Sequence, residues 1–158
     1  MKTLEITGMN VNNVVNVVNG LNKLLANLQV HYSNLRNLHW NVKGRDFFNL
    51  HAQYEKLYDE AADMVDEVAE RLLQLGSQPE HRFSAYLKLS DVKETDVIET
   101  PGEGLTYVAG VLTLLIALER HILSDASEAG DEVTVALMSD YLKSQEKLAW
   151  MLSATTAE

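Results

Sequence analysis

The sequence predicts an all-α protein arranged as a four-helix bundle, and three observations support this prediction. Long stretches repeat their apolar residues at the three- and four-residue spacing of an amphipathic helix. Only two prolines, Pro79 and Pro101, interrupt the chain. Gly44, Gly76 and Gly130 fall where the periodic stretches stop, as glycine commonly does just beyond a helix end. Four long helices with one extended connection are the layout of a four-helix bundle.

The composition indicates one domain, residues 1–158, long enough to bury roughly two-thirds of its unfolded surface. No apolar run approaches the ~20 residues of a membrane span, and the N-terminus lacks the segments of an export signal. Because the chain also has no cysteine, which fits a reducing compartment, we expect a cytoplasmic protein. A formal net charge of −10 argues against a surface that grips nucleic-acid phosphates and favours cationic partners.

The first long helix is predicted to begin at Val14 and to end at Gly44. Its apolar seam alternates spacings of four and three residues, and His39 is the next step in that series. Asp46 is expected to cap the following helix by accepting a hydrogen bond from a first-turn amide. The seam consists of Val14, Val18, Leu21, Leu25, Leu28, Tyr32 and Leu35.

The second helix is predicted from Phe47 to Leu75, and Gly76 stops it. Residues 77–99 are polar and turn-prone, and they contain one amphipathic piece, FSAYLKLS, which predicts a short extra helix between the second and third long helices. The core stripe of the second helix is Leu50, Tyr54, Leu57, Ala61, Met64, Val68 and Leu75.

The third helix is predicted to start at Thr100, because TPGE has the spacing of a capping box with proline at the first helical position. It ends near Gly130, and Asp131 can cap the fourth helix. The apolar positions of that last helix are Val135, Leu137, Met138, Tyr141, Leu142, Leu148, Trp150, Met151 and Leu152.

Four residues with metal-ligating side chains share one flank of the second helix: His51, Glu55, Asp66 and Glu70. At about 100° per residue they fall near 0°, 40°, 60° and 100° around the axis, whereas the core stripe centres near −100°. Tyr58, Ala62, Val65 and Ala69 are small or apolar neighbours on what we expect to be the side opposite the core. A face of this kind favours close approach by another helix.

The two pairs cannot reach one ion within one chain, because Asp66 lies about 22 Å beyond His51 along the axis. An antiparallel second copy would bring His51 and Glu55 of one chain opposite Asp66 and Glu70 of the other, giving two equivalent shared sites. His39 would reach the same cavity if the first helix packs beside the second. Two imidazoles and three carboxylates without a thiolate suit Fe(II), Mn(II) or Zn(II).

Each of these residues also has an ordinary structural explanation. His39 could be a hydrogen-bonded core histidine, His51 and Glu55 could be a helix-surface pair, and Asp66 and Glu70 could be solvated. From the residues alone, the functional and structural interpretations stay about evenly balanced.

The stretches HWNVKGRDFFNLHAQYE and DEVAERLLQLG closely resemble the signature of the Dps family, the mini-ferritins of starved or oxidatively stressed bacteria. The resemblance implies a ferritin-like four-helix bundle that assembles into a hollow dodecamer with iron sites shared between two-fold-related chains. It further implies that Fe(II) is oxidised, preferably by hydrogen peroxide rather than O2, and stored as a ferric mineral, which protects DNA. The ligands it implies are His39, His51, Glu55, Asp66 and Glu70.

Further roles follow from the same resemblance. Trp40, and also Tyr58, would supply or trap electrons, although packing is an alternative role for Trp40. Glu128, Asp131 and Glu132 resemble the acidic lining of the three-fold pores, with helix capping as the alternative. Glu55 stands where several members have Asp.

Two other functions are compatible with the sequence in part. A structural or nucleoid-associated shell without ferroxidase activity is the main alternative. The termini lack a lysine-rich tail, however, so direct DNA binding is not expected. A di-iron site inside one chain would need ligands on all four helices, and the third offers only Glu119 and His121 while the fourth has no histidine. His31, His81 and His121 match no ligand position.

Overall fold

The structure is a computed structural model that describes residues 3–156, and within that range it contains helices and no strand. Four of the helices are long and two are short, and all are joined by turns and by one extended connection. In chain order they are α1 (Thr3–Thr7), α2 (Val15–Asn41), α3 (Phe47–Gln74), α4 (Phe83–Leu89), α5 (Pro101–Ala129) and α6 (Glu132–Thr156).

The four long helices form the predicted bundle. Helix α2 packs along α3 and against α5, α5 packs along α6, and the short α4 rests on α2. The four long helices and the short helix in the connection are therefore confirmed. The short α1 was not predicted, because five residues carry too little periodicity to stand out from a coil.

Most predicted helix ends have the expected chemistry. The Thr100 hydroxyl oxygen accepts from the backbone N–H of Glu103, and Pro101 occupies the first turn of α5. Gly130 closes α5 in the left-handed conformation, with φ of 69°. The prediction for Asp46 was wrong: it precedes α3, but its backbone is not extended and its side chain makes no capping hydrogen bond.

The bundle is tight where glycine permits close approach. A Cβ atom on Gly20 of α2 would lie 2.6 Å from a side-chain carbon of Ile122 on α5. A Cβ atom on Gly104 would collide with the buried hydroxyl of Tyr54 on α3. Larger residues at either position would push whole helices apart, because interiors packed this densely have little room to adjust.

The connection after α4 is held by asparagine side chains of α2. Asn27 Oδ1 accepts from the Ser90 hydroxyl and from the backbone N–H groups of Asp91 and Val92. Asn34 donates to the Lys93 carbonyl at 2.8 Å. These bonds satisfy buried backbone groups that a loop crossing a helix would otherwise leave unpaired.

The apolar core follows the predicted seams, with one exception at the end of α6. The seam residues of α2 and α3 are buried or half-buried, and Met138 and Tyr141 carry the core contribution of α6. Trp150 and Met151, two of the apolar positions of α6, are 67% and 45% exposed. Leu148 and Leu152 of the same turns are half-buried and pack against core residues, so α6 remains covered on that side to its last turns.

In the described part of the chain, α5 is the one helix that by length and composition alone could cross a membrane. The core helix of a bundle meets the same test. Helix α5 places Val108, Leu112 and Leu115 in the core and packs against α2 and α6, as a core helix does.

A carboxylic acid lies inside this bundle. Glu119 of α5 is fully buried, and one oxygen accepts a 2.6 Å hydrogen bond from the Gln145 amide of α6, while the other has no partner among residues 3–156. Burial raises the pKa of Glu119 to about 8, and the bond from Gln145 offsets only part of that rise. Glu119 is therefore largely protonated at neutral pH.

We expect stability to fall as the pH rises from about 4.5 to about 8. Over that window the folded chain holds a proton on Glu119 that the unfolded chain, with an ordinary pKa of 4.5, has released. Glu119→Gln should remove this contribution and stabilise the fold by roughly 2 kcal/mol at pH 9 but little at pH 4. Denaturant unfolding at a fixed protein concentration measures both values.

The matched control is Glu94→Gln, which changes an exposed carboxylate. The free energy of unfolding of Glu94→Gln should depend on pH as that of the wild type does. An unchanged pH dependence in Glu119→Gln would show that Glu119 ionises normally in the fold.

Candidate metal centre

The turn between α2 and α3 brings His39 and His51 into direct contact. His39 lies in the last turn of α2 and His51 in the first turns of α3. Their rings stack with centroids 3.7 Å apart and planes 20° from parallel. The sequence prediction that packing of α2 beside α3 would bring His39 to the His51 side of α3 agrees with this contact.

Each histidine is held by a hydrogen bond to the other's backbone. His39 Nδ1 lies 2.8 Å from the carbonyl oxygen of His51, and His51 Nδ1 lies 2.8 Å from the carbonyl oxygen of His39. A carbonyl oxygen can only accept, so Nδ1 carries the proton in both rings. In the neutral ring Nε2 is then unprotonated, and its lone pair is available to bind a metal ion.

Aromatic rings enclose the histidine pair on both sides. Phe47 stacks on His51 with centroids 5.0 Å apart, and the Tyr58 ring meets His39 edge-on at 5.2 Å. The stack limits rotation of both imidazoles and leaves His39 only 8% exposed. The orientation needed for metal binding is therefore set by the fold before any ion arrives.

Glu55 lies one turn beyond His51 and is exposed. The Tyr58 hydroxyl lies 3.5 Å from Glu55 Oε1, the long limit of a hydrogen bond. Burial, followed by the nearby Glu55 and Asp59 carboxylates, raises the pKa of Tyr58, so the phenol keeps its proton and can donate.

Asp66 and Glu70 are exposed, and they lie about four and about five turns further along α3 than His51. Among residues 3–156 there is no group of three or more His, Asp or Glu side chains placed to hold one metal ion. One chain thus presents the histidine pair at one end of the helix flank and the carboxylate pair at the other.

One detail of the predicted flank was wrong. Val65 and Ala69, placed on the side opposite the core, are half-buried and pack against it, and Tyr58 borders the second core cluster. Only Ala62 of that set is exposed. The ligating residues therefore lie beside the core stripe, roughly a quarter of a turn or more away, and the surface between them is partly filled within the chain.

Trp40 does not join the histidine pair, although it follows His39 in sequence. Its side chain is 63% exposed, and the Arg36 guanidinium lies 4.7 Å from its ring centroid. Within the described range it has no ring contact with His39 or His51. The contact with Arg36 is packing of Trp40 within its own chain, which is the alternative role considered for this residue.

The three acidic residues suggested for a pore are placed differently from one another. Glu128 and Glu132 are exposed, whereas Asp131 is only 1% exposed. The Arg71 guanidinium pairs with Asp131 Oδ1, and Asp131 also accepts from the backbone N–H and hydroxyl of Thr134. Asp131 thus caps α6 and neutralises a buried arginine, so any pore lining is left to Glu128 and Glu132.

Comparison with known proteins places this architecture in a family. The ferritin family, described as a ferritin-like domain, matches residues 18–158. The chain is 56% identical to the DNA protection during starvation protein of Porphyromonas gingivalis, over 97% of this chain and 96% of that one. The chain therefore belongs to the Dps family of ferritin-like proteins.

Solved structures agree with this assignment. The Dps protein of Vibrio cholerae O1 superposes with a TM-score of 0.92 at 42% identity, covering 94% of each chain, and is described as a member of a broad superfamily of ferritin-like diiron-carboxylate proteins. Dps of Listeria innocua, solved after soaking with zinc, superposes with a TM-score of 0.85 at 31% identity, covering 88% of this chain and 94% of that one.

Sequence reasoning missed two features that support the histidine pair. Phe47 lies four residues before His51, the spacing at which helix neighbours touch, so its stacking had a detectable signal. The reciprocal hydrogen bonds from the Nδ1 atoms of His39 and His51 to backbone carbonyls had no signal in the sequence, because they depend on how α2 and α3 dock.

We expect His39→Ala and His51→Ala each to lower the affinity for Zn²⁺, used as a redox-inert probe, by at least tenfold. Each substitution removes one Nε2 nitrogen and also the ring that stacks on the other imidazole, while the backbone carbonyl that accepts from that imidazole remains. Isothermal titration calorimetry of the assembled protein measures the change.

His121→Ala is the control, since the His121 side chain is 73% exposed and pairs only with Asp125. It should leave the tight Zn²⁺ sites intact. Equal affinity in His51→Ala and His121→Ala would mean that the histidine pair is purely structural.

Proposed function

We propose that this chain is the subunit of a mini-ferritin that oxidises Fe(II), preferably with hydrogen peroxide, at sites shared between two chains. The ferric product is stored inside a hollow dodecamer, and removal of Fe(II) and peroxide together protects DNA and the cell. Membership of the Dps family supports the proposal. The description of the Vibrio cholerae relative as a ferritin-like diiron-carboxylate protein supports iron as the metal.

The observation that carries the proposal is the His39–His51 pair. Two stacked imidazoles with both Nδ1 atoms committed to carbonyls leave two Nε2 atoms as ligands. An ordinary core histidine satisfies its ring with one partner and has no need of a second imidazole in contact. Neutral imidazole together with carboxylate oxygen suits Fe(II) better than the harder Ca²⁺ or Mg²⁺.

The partner chain in this proposal supplies the missing carboxylates. A two-fold axis near the middle of α3 sets Asp66 and Glu70 of one chain opposite His39, His51 and Glu55 of the other, so that each pair of chains carries two sites. The exposed aromatic side chains of Trp40 and Phe48, at the same end of the α2–α3 pair, fit a surface that a second chain covers.

The chemistry assigned to the site is a two-electron reduction of peroxide. Two Fe(II) ions each give up one electron, the O–O bond breaks, and the oxygen atoms leave as water or hydroxide rather than as hydroxyl radical. Hydrolysis of the ferric product releases protons, which pass to solvent. Trp40 is retained as a proposed electron donor, acting from the chain surface.

The acidic composition supports delivery of iron and argues against contact with DNA. A net charge of −10 repels phosphate, while exposed Glu128 and Glu132 near the start of α6 would concentrate Fe(II) if they line an entry pore. We propose a cytoplasmic location, where DNA and Fe(II) occur together.

Purified wild-type protein should oxidise Fe(II) with hydrogen peroxide, and His51→Ala should oxidise it at least tenfold more slowly while keeping the same assembled mass. The reason is that the variant loses a ligand without losing the packing of α3. Stopped-flow absorbance of ferric product and size-exclusion mass measure the two quantities. A wild-type protein that oxidises Fe(II) no faster than the same mixture without protein would support the alternative, a structural or nucleoid-associated shell.

Co-assembly of two inactive variants tests the shared site. His51→Ala lacks the histidine side, and the double variant Asp66→Ala and Glu70→Ala lacks the carboxylate side. Refolded together in equal amounts, they should recover about a quarter of wild-type activity, because half of the pairs are mixed and each mixed pair regains one of its two sites.

The control is the same two variants mixed after separate assembly, which should stay inactive. Absence of recovery after co-refolding, with mixed assemblies verified by mass, would place each complete site within one chain.

A further inference from the structure

A groove with a cavity volume of about 510 Å³ lies between α3 and α6, away from the histidine pair. Apolar side chains from three helices line part of it: Leu57 and Met64 of α3, Leu112 and Leu115 of α5, and Leu148 and Met151 of α6. Polar and charged side chains line the rest, and a groove of this size that combines apolar wall with polar groups that fix the orientation of a ligand is typical of small-molecule sites.

One such polar group is His31 of α2, which lines the groove and is otherwise buried. Asn34 donates both to the Lys93 carbonyl and to the Tyr107 hydroxyl oxygen, and its Oδ1 accepts from the Thr95 N–H. With its oxygen accepting from Asn34, the Tyr107 O–H is free to donate to His31 Nδ1, 3.1 Å away.

This network assigns the proton of His31 to Nε2. The ring stays neutral near pH 7, since burial lowers the pKa of His31 to about 4. In the described part of the chain the Nε2–H has no acceptor, so His31 offers the groove a hydrogen-bond donor that the protein itself does not use.

The second polar group is Gln145 of α6, which lines the same groove and is only 7% exposed. Its Nε2 donates to Glu119, and its Oε1 has no partner within the part of the chain that the structure describes. A buried amide oxygen without a donor costs about 1–3 kcal/mol, which a ligand that supplies the donor would recover. The Met64 and Met151 side chains beside it are flexible enough to open a path.

Charge restricts the kind of head group that fits. The buried polar groups of the groove, His31 and Gln145, carry no permanent positive charge, and Gln145 is hydrogen-bonded to the Glu119 carboxyl group. An anionic head group of a ligand would therefore lose its hydration without gaining a compensating charge. The charged residues of the groove, Lys56, Glu60, Asp63 and Lys147, balance in sign.

We propose that the groove between α3 and α6 binds a small uncharged molecule with an apolar body and one hydroxyl group, of the phenol class. The hydroxyl oxygen accepts from His31 Nε2–H, its hydrogen is donated to Gln145 Oε1, and the ring lies among the leucine and methionine side chains. The site uses none of the residues assigned to iron, and it does not depend on the proposed ferroxidase activity.

The test is a titration of the assembled protein, labelled with ¹³C at its methionine methyl groups, with phenol and in parallel with toluene. Met64 and Met151 line the groove, while Met9 and Met138 do not and serve as internal controls. Phenol should shift Met64 and Met151 together in a saturable way. Toluene, of the same shape without the hydroxyl, should bind at least fivefold more weakly.

Gln145→Leu should remove the preference for phenol over toluene, and His31→Phe should reduce it. Gln78→Leu, an exposed position outside the groove, should leave it unchanged. Because buried substitutions can impair folding, each variant is compared only if its methionine spectrum without ligand retains the dispersion of the wild type. The ratio of phenol affinity to toluene affinity in the wild type tests the proposal without any variant.

Equal binding of phenol and toluene, shifts of similar size at all four methionines, or a phenol-soaked crystal with only ordered water at Gln145 Oε1 would each overturn the proposal. Repeating the titration on His51→Ala distinguishes the phenol site from the proposed iron site, since phenol binding should persist in that variant.

Discussion

The docking of α2 against α3 across the turn at Gly44 is the contact on which the rest of the structure depends. It buries the long leucine seam of α2, and it brings the last turn of one helix against the first turns of the next. His39 and His51 meet at that point, where each imidazole bonds to the other's main chain. A structural tie between two helices thereby also sets the tautomer of both imidazoles, so the packing of the helices and the proton positions of the two rings rest on the same pair of hydrogen bonds.

The rigidity of α3 then limits what one chain can accomplish. A helix rises about 1.5 Å per residue and cannot fold back on itself, so residues fifteen positions apart stay about 22 Å apart whatever the neighbouring helices do. A centre that uses both ends of such a helix has to be built between molecules. The aromatic side chains exposed near the histidine pair are the expected companion of such an arrangement, since an interface needs apolar surface as well as ligands.

Buried polar groups elsewhere in the bundle fall into two kinds. Arg71, Asp131 and Thr134 form a closed network in which the shared groups satisfy one another, and the network joins α3 to the start of α6. Glu119, Gln145 and His31 instead form open networks, each with an atom that lacks a partner or a hydrogen that lacks an acceptor. Closed networks specify how helices pack, whereas open ones cost free energy unless water or a ligand completes them.

The sequence by itself determined the four long helices, their caps at Thr100 and Asp131, and the flank of α3 that carries a histidine–carboxylate pair and a pair of carboxylates, because helical periodicity and capping chemistry are local. It also determined that one chain cannot bring His51 and Asp66 to the same ion, since that follows from spacing along a single helix. Only the tertiary structure decided that Asp131 is buried against Arg71, that Trp40 and Trp150 are exposed, and that Asp46 leaves its helix uncapped. Those outcomes, like the proton positions on His31, His39 and His51, depend on which side chains of distant segments meet, and no local pattern encodes such contacts.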